Sequence, residues 1–164
     1  CGAHVTSAEL PSGVFEDRDP EAIPAVFDRW MQSQIRQVAA GFCMACDGAS
    51  VADLRPDGFA VDVPGLDVDF EGPQVLYECQ RCGDRVLVSV GEALRDHPAI
   101  VSFYYDHGVD VLEEPSWRLD WLDADATTVV SRDPLRIRLE VAHAGERLVL
   151  TVGADLDVVD VTRE

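Results

Sequence analysis

The pattern of apolar and polar positions predicts a long amphipathic helix near the start of the chain. Asp19 is a favourable N-cap, Pro20 suits the first helical position, and Gly41 is a plausible end. We expect the apolar stripe of this helix to be a buried face; half of a dimer interface is the alternative. The residues that recur at helical spacing are Ile23, Val26, Phe27, Trp30, Met31, Ile35 and Val38.

Residues 51–90 show the shorter alternation that is typical of strands. Two alternating runs within residues 61–70 are separated by Pro64-Gly65, which favours a turn. A further run at residues 75–78 leads into another turn, and alternation resumes over residues 86–90. This part of the chain is therefore predicted to be β-structure.

The second half of the chain predicts a shorter helix and then a series of strands. The helix begins after His97, with Pro98 in its first turn, and ends near His107 because Gly108 follows. The sequences HAG and GAD supply the last two turns. Strands are predicted at residues 117–122, 127–131, 135–142, 147–152 and 156–161.

Four cysteines form a C-x2-C…C-x2-C pattern, with 32 residues between the two pairs. Two residues between cysteines let one tight turn direct both sulfurs at one ion, and two such turns complete a tetrahedral structural Zn²⁺ site. Gly83 follows the second pair directly, where the turn favours positive φ, whereas Gly48 lies one residue later. A hairpin around Pro64-Gly65 accounts for a separation longer than the ~15–20 residues of compact zinc ribbons. We predict one structural Zn²⁺ held by Cys43, Cys46, Cys79 and Cys82.

Other roles for these cysteines fit less well. Thioredoxin-type exchange uses a single C-x-x-C that opens a helix, whereas here two pairs precede β-prone sequence. Disulfides are disfavoured in a reducing cytoplasm, and free thiols would not occur as two matched pairs. Four thiolates leave no open position for a catalytic water, so we expect no enzyme activity at the metal. Cys1 is either the end of another cysteine pair or an unpaired thiol, and the sequence favours neither.

These patterns together predict an α+β fold. Its parts are a zinc-ribbon-like β unit, an N-terminal amphipathic helix, a second helix and a C-terminal antiparallel β-meander. A short strand is also expected at residues 5–10. The predicted units are the end of an upstream region (1–18), the amphipathic helix (19–42), the zinc-ribbon-like unit (43–90) and the second helix with the meander (91–164).

The charge of the chain narrows the classes of partner. Its net charge is −18, from 31 acidic and 13 basic residues, and all of the basic residues are arginine. Such a chain repels phosphate, so it is a poor candidate for direct DNA binding. The spread of carboxylates and the absence of Lys indicate a salt-loving source. No apolar run approaches the ~20 residues of a membrane span and no signal peptide is recognised, so we expect a cytoplasmic location.

The remaining candidate residues favour structural roles. His97 and His107 flank the second helix and are expected to cap it or lie at the surface. Glu113-Glu114 is expected to be a solvated face, and the aspartates at 120, 123 and 125 lack the glycine and terminal glutamate of a calcium loop. One aromatic group is expected to pack in the core, with a ligand pocket as the alternative; its members are Phe103, Tyr104, Tyr105, Trp117 and Trp121.

Several segments resemble the C-terminal region of haloarchaeal winged-helix, ArsR-like transcription regulators. The segments are DRWMQSQIRQVAAGFCMACDG, YECQRCG, DHPAIVSFYYDHGVDV, SWRLDW and LVLTVGADLDVVDV. The resemblance covers about residues 15–161 and departs at Met44-Ala45, where the family often has a proline. It implies cysteine pairs at the positions described above, and an upstream winged-helix domain, absent from this chain, as the part that binds DNA.

Two functional classes remain after this resemblance. The first is a regulatory and dimerisation module, stapled by zinc, that forms a homodimer or responds to a small-molecule or protein effector. The second is a ligand-binding or enzymatic domain that uses an aromatic pocket near residues 103–121. A concave cluster of titratable side chains would favour the second class, and the sequence shows none.

Overall fold

The computed structural model describes residues 11–63 and 66–164, so the strand predicted at residues 5–10 lies outside the described part. The fold is α+β, as predicted. Its helices are α1 (Ile23–Ala39), α2 (Val90–Ala93) and α3 (Pro98–Asp106). Its strands are β1 (Ser50–Arg55), β2 (Phe59–Val63), β3 (Leu66–Phe70), β4 (Gln74–Cys79), β5 (Arg85–Ser89), β6 (Thr127–Arg132), β7 (Leu135–His143), β8 (Glu146–Gly153) and β9 (Val158–Arg163).

The N-terminal helix starts as its sequence predicts. The Asp19 carboxylate accepts a hydrogen bond from the Glu21 N–H at 2.9 Å, and a 3₁₀ turn at Pro20–Ala22 leads into α1. The predicted buried face is complete only in the second half of the helix, where Ile35 and Val38 are buried. In the first half, the apolar side chains are partly exposed.

The C-terminal strands form the predicted antiparallel meander, in the order β6-β7-β8-β9. Across the β7–β8 pair the buried face consists of directly opposed apolar residues, each at most 3% exposed. Opposed apolar pairs of this kind are the main stabilising unit of a sheet. The pairs are Ile137–Val152, Leu139–Leu150 and Val141–Leu148.

A smaller sheet has the order β1-β4-β5, and the β2–β3 hairpin is inserted between its first two strands. The hairpin corresponds to the two alternating runs predicted on either side of Pro64-Gly65, although these two residues lie outside the described part. β1 and β4 are antiparallel, and their register pairs Ser50 with Cys79. The start of β1 therefore lies beside the end of β4.

The strand predicted at residues 117–122 is wrong. Two 3₁₀ turns, Ser116–Arg118 and Asp120–Leu122, occupy this segment. Their N–H groups bond locally, as in Leu122 N–H to the Leu119 carbonyl at 3.0 Å. Leu119 and Trp121 are buried while Asp120 is exposed, so local turns produce the alternation that resembled a strand.

The alternation over residues 86–90 also ends earlier than predicted. Val90 begins α2 instead of continuing β5, because the Ser89 hydroxyl accepts a hydrogen bond from the Glu92 N–H at 3.0 Å. Ser89 and Glu92 have the spacing of a capping box, a sequence pattern that marks the start of a helix. Gly91 packs closely, since a Cβ there would lie 2.6 Å from the Trp121 carbonyl oxygen.

Both sheets and all three helices contribute to one apolar core. Its largest fully buried side chain is Phe103 of α3, which is 1% exposed. The small sheet contributes Leu54, Val75, Tyr77 and Val88 to the same cluster. Within residues 11–63 and 66–164, no helix is long and apolar enough to cross a membrane.

Candidate metal centre

Strand pairing brings the two cysteine pairs together. Residues 43–46 lie between α1 and β1, whereas Cys79 ends β4 and residues 80–82 lie in the turn between β4 and β5. Because Ser50 of β1 is paired with Cys79 of β4, the two turns meet at one end of the small sheet. The Gln80 N–H also donates to the Ala49 carbonyl at 2.8 Å, which fixes one turn against the other.

The first cysteine turn is closed by its own backbone. The Asp47 N–H donates to the Cys43 carbonyl at 3.0 Å, and the Cys43 N–H donates to the Gly48 carbonyl at 2.8 Å. The Ala45 N–H points at the Cys43 sulfur, 3.3 Å away. These bonds hold the backbone around Cys43 in a single tight turn.

The second turn repeats these bonds at equivalent positions. The Gly83 N–H donates to the Cys79 carbonyl at 3.1 Å, and the Cys79 N–H donates to the Asp84 carbonyl at 2.9 Å. The N–H groups of Arg81 and Cys82 both donate to the Cys79 sulfur at 3.4 Å. The two segments therefore form the same structure, despite sharing only the cysteine spacing.

The positive-φ position that follows each pair is filled differently in the two turns. Gly83 has φ of 75°, as predicted, while Asp47 occupies the equivalent place with φ of 54°. Aspartate tolerates this conformation better than most residues. Gly48 has a different role, because a Cβ there would lie 2.9 Å from the Arg81 Cβ. The later glycine thus permits close approach of the two turns.

The four sulfurs converge to the dimensions of a tetrahedral site. The sulfurs of Cys43 and Cys82 are 3.6 Å apart, as are those of Cys46 and Cys79, and all four lie within 4.8 Å of one another. Zn–S bonds of ~2.3 Å imply sulfur separations of ~3.8 Å in a tetrahedron. A disulfide requires about 2.05 Å, so these are four free thiols and not two bridges.

The site lies at the surface of the protein. Cys43 and Cys79 are 2% and 3% exposed, Cys46 is half-buried, and Cys82 is exposed. The side chains around the cluster brace its first turn. The Gln37 amide donates to the Cys43 carbonyl at 3.0 Å and to the Asp47 carboxylate at 3.1 Å, which joins α1 to the turn.

The pKa values of three of the thiols are shifted in different directions by their surroundings. The N–H groups of Cys82 and Arg81 lower the pKa of Cys79 to about 6, whereas burial raises the pKa of Cys43. The Asp84 N–H acts to lower the pKa of Cys82, but the sulfurs of Cys46 and Cys79 outweigh it and raise the value to about 12. A cation bound among these sulfurs would favour their thiolate forms.

Within the described residues, only these four cysteines are close enough together to hold a metal. His97 caps α3, with its Nδ1 accepting from the Ala99 N–H at 3.2 Å. His107 bonds the Phe103 carbonyl at 2.8 Å at the other end of α3. Both histidines thus have the local roles that the sequence favoured. Glu113 is exposed and bonded to Arg29 at 2.6 Å.

The predicted aromatic group divides between core and surface. Phe103, Tyr104 and Trp121 are at most 4% exposed, and the Trp121 indole N–H donates to the Tyr104 hydroxyl at 2.8 Å. Tyr105 and Trp117 are 78% and 59% exposed. The structure therefore does not bring these five rings together in one pocket.

Sequence reasoning missed a buried arginine. Arg95 is 2% exposed, and its guanidinium donates to the carbonyls of Val111, at 2.8 Å, and Glu114 and to the Ser116 hydroxyl at 3.0 Å. It holds the segment after α3 against α2. Desolvation by burial lowers the pKa of Arg95. No sequence pattern distinguishes this arginine from the exposed ones.

Residues 1–158 match the family described as Domain of unknown function (DUF7351), and the chain belongs to that family. No curated protein and no solved structure matches the chain.

Proposed function

We propose that this DUF7351 chain is the regulatory and dimerisation module of a haloarchaeal winged-helix, ArsR-like transcription regulator. In this proposal a structural Zn²⁺ staples the module, and DNA is bound only by an upstream winged-helix domain. The convergence of four free sulfurs carries the proposal, because it supplies the complete ligand set of a structural zinc site. The segments that resemble such regulators supply the biological context.

The metal would act through architecture. Bound by Cys43, Cys46, Cys79 and Cys82, it would tie the end of α1 to the turn between β4 and β5. Four protein ligands fill a tetrahedral site, so there is no position for a catalytic water. The buried aromatic side chains likewise give little support to the alternative of an enzyme with an aromatic pocket.

The charge supports a module that does not itself bind DNA. Specific DNA binding relies on Lys and Arg at phosphates, and the chain has a net charge of −18. Four thiolates with one Zn²⁺ add a further −2. The metal therefore increases the repulsion between this chain and DNA.

Metal analysis and DNA binding test the two halves of this proposal. Protein purified in reducing buffer should contain one zinc per chain by elemental analysis, and the Cys79→Ser variant should contain none. In gel-shift assays the chain alone should not retard DNA, whereas the intact regulator should bind its operator with an affinity that Cys79→Ser changes. A zinc-free wild type, or tight and salt-sensitive DNA binding by this chain, would overturn the proposal.

A further inference from the structure

The last strand of the larger sheet has an open edge. Among the described residues, β9 pairs on one side only, with β8. Val159 and Val161 are each 44% exposed on this strand. An exposed strand with β-branched residues and no proline is suited to pairing with another strand.

The opposite edge of the sheet is less suited to pairing. Each edge strand has one register shift, in β6 between Val129 and Ser131 and in β9 between Val158 and Asp160. In β9 the shift lies at the start of the strand and leaves residues 160–163 in regular register with β8, whereas in β6 it divides the strand. Its last residue, Arg132, is bonded to Asp57 of the turn between β1 and β2 at 2.5 Å. A shift in the middle of the strand and a covering contact at its end make β6 less suited than β9 to strand addition.

A row of apolar residues crosses the sheet and is exposed only at β9. Leu139 of β7 is opposed by Leu150 of β8, which is opposed by Val161 of β9. Leu139 and Leu150 are both 0% exposed, whereas Val161 is 44% exposed. A strand placed beside Val161 would extend this buried row.

Charge and strand regularity together select one register for a pair of identical β9 strands. A twofold axis perpendicular to the sheet centres the pair on one residue. Centring on Val158 or Val159 would place the register shift between Val158 and Asp160 at the middle of the pair, where the strand is not regular. Centring on Asp160 opposes two carboxylates, and centring on Thr162 opposes Asp160 to Glu164. Centring on Val161 opposes Asp160 to Thr162 and Val161 to itself, so no like charges face each other.

The meander is also the part of the chain where two copies repel each other least. Residues 127–164 contain five arginines and seven carboxylates, for a net charge of −2. Residues 1–126 contain eight arginines and 24 carboxylates, for a net charge of −16. The electrostatic repulsion between two copies of this acidic chain is therefore smallest when they associate through this sheet.

An apolar groove adjoins the open edge. Arg163 of β9 bonds Asp106 of α3 at 2.6 Å, and Asp106 lines a groove of about 640 Å³. Tyr105, which is 78% exposed, also lines it, with Val101 and Leu112. A stable interface buries about 800 Å² per partner, which is more than one strand provides. The surface of this groove would supply additional contact area.

We propose that β9 pairs antiparallel with β9 of a second copy, about a twofold axis at Val161. The two four-stranded sheets then form one eight-stranded sheet. This inference deepens the dimerisation part of the proposed function and rests on it.

Sedimentation in molar KCl tests the inference. The zinc-loaded wild type should be a dimer, and Val161→Lys should weaken association by more than about tenfold, because the apolar contact of Val161 at the twofold axis is lost and a charged side chain is buried in its place. The control is Val130→Lys, an exposed valine on the opposite edge strand, 53% exposed, which should remain dimeric. Circular dichroism checks that both variants fold.

Disulfide cross-linking tests the same interface without placing a charged side chain in it. With oxidised glutathione, Val161→Cys should give a covalent dimer, whereas the wild type and Val130→Cys should not. A wild type that is monomeric at ~100 µM, a concentration above the Kd of a stable dimer, overturns the dimerisation part of the proposed function as well. If the wild type is a dimer, but Val161→Lys is also dimeric and Val161→Cys forms no covalent dimer, only the assignment of the interface to β9 is overturned.

Discussion

The two sheets of this protein are stabilised in different ways. In the larger sheet, β7 and β8 bury three opposed apolar pairs, each residue at most 3% exposed. In the small sheet, β4 is buried along most of its length, but its neighbour β1 buries only Leu54. Where the start of β1 lies beside the end of β4, the two cysteine turns meet.

This difference indicates how the stability of each sheet should respond to substitutions. Apolar pairs contribute many small, separable terms to stability, whereas a metal site contributes one large term that depends on all four ligands. The small sheet should therefore lose its structure at its cysteine end in a single step. The larger sheet should weaken in proportion to the apolar surface that is removed.

The largest effect is expected from loss of one metal ligand. Cys79→Ser should abolish zinc binding, whose apparent free energy of ~10–16 kcal/mol in finger peptides exceeds the ~5–15 kcal/mol stability of a typical domain. Hydrogen exchange should show lost protection around residues 43–49 and 79–84 and retained protection in β7 and β8.

The matched control for this loss is Gln80→Ser, an exposed change within the same turn that should retain one zinc per chain. A Cys79→Ser protein as protected as the wild type in both turns would show that the metal does not stabilise this sheet. Loss of protection everywhere would show that the two sheets unfold as one unit.

A smaller effect is expected from a cavity in the larger sheet. Leu150 is 0% exposed, so Leu150→Ala should destabilise the protein by roughly 2–5 kcal/mol in urea denaturation. Its zinc content should remain at one per chain, because the cysteine turns are at the end of the other sheet. Val130→Ala on the exposed part of β6 is the control and should change stability little. Loss of zinc from Leu150→Ala would contradict the separation of the two regions.

The sequence predicted local structure where one residue type had a clear physical role. Asp19 begins α1, Gly83 has positive φ, and the cysteine spacing anticipated four sulfurs in one place. Of the two strand predictions that failed, the end of β5 was set by the local cap at Ser89, whereas the other depended on tertiary packing. Residues 117–122 alternate in burial because 3₁₀ turns place Leu119 and Trp121 against the core, and an alternating pattern alone does not distinguish such turns from a strand.

The two cysteine turns provide a finer comparison within the metal site. Gly83 has φ of 75° and a Cβ there would have open space around it, so Gly83→Ala should cost roughly 1–2 kcal/mol through backbone conformation alone. Gly13→Ala is the control, since that glycine also has open space and lacks a positive φ. Asp47→Gly should preserve the first turn, because glycine adopts the same conformation readily. Equal stability of Gly83→Ala and wild type would mean that the second turn can shift to another conformation.

The smallest effect is expected at an exposed ion pair that links the two regions. Asp57 follows β1 and bonds Arg132 of β6 at 2.5 Å, with both side chains largely exposed. Hydrogen bonds from Arg132 lower the pKa of Asp57, so the stabilisation is complete above the ordinary carboxyl range and is lost as pH falls through the lowered pKa. Asp57→Asn should lower the melting temperature slightly at neutral pH and low salt, and not at all in molar KCl, where screening removes the attraction. Arg132→Gln should have the same effect, and the double variant should add nothing further. A decrease that persists in molar KCl would show that this contact joins the sheets through packing instead of charge.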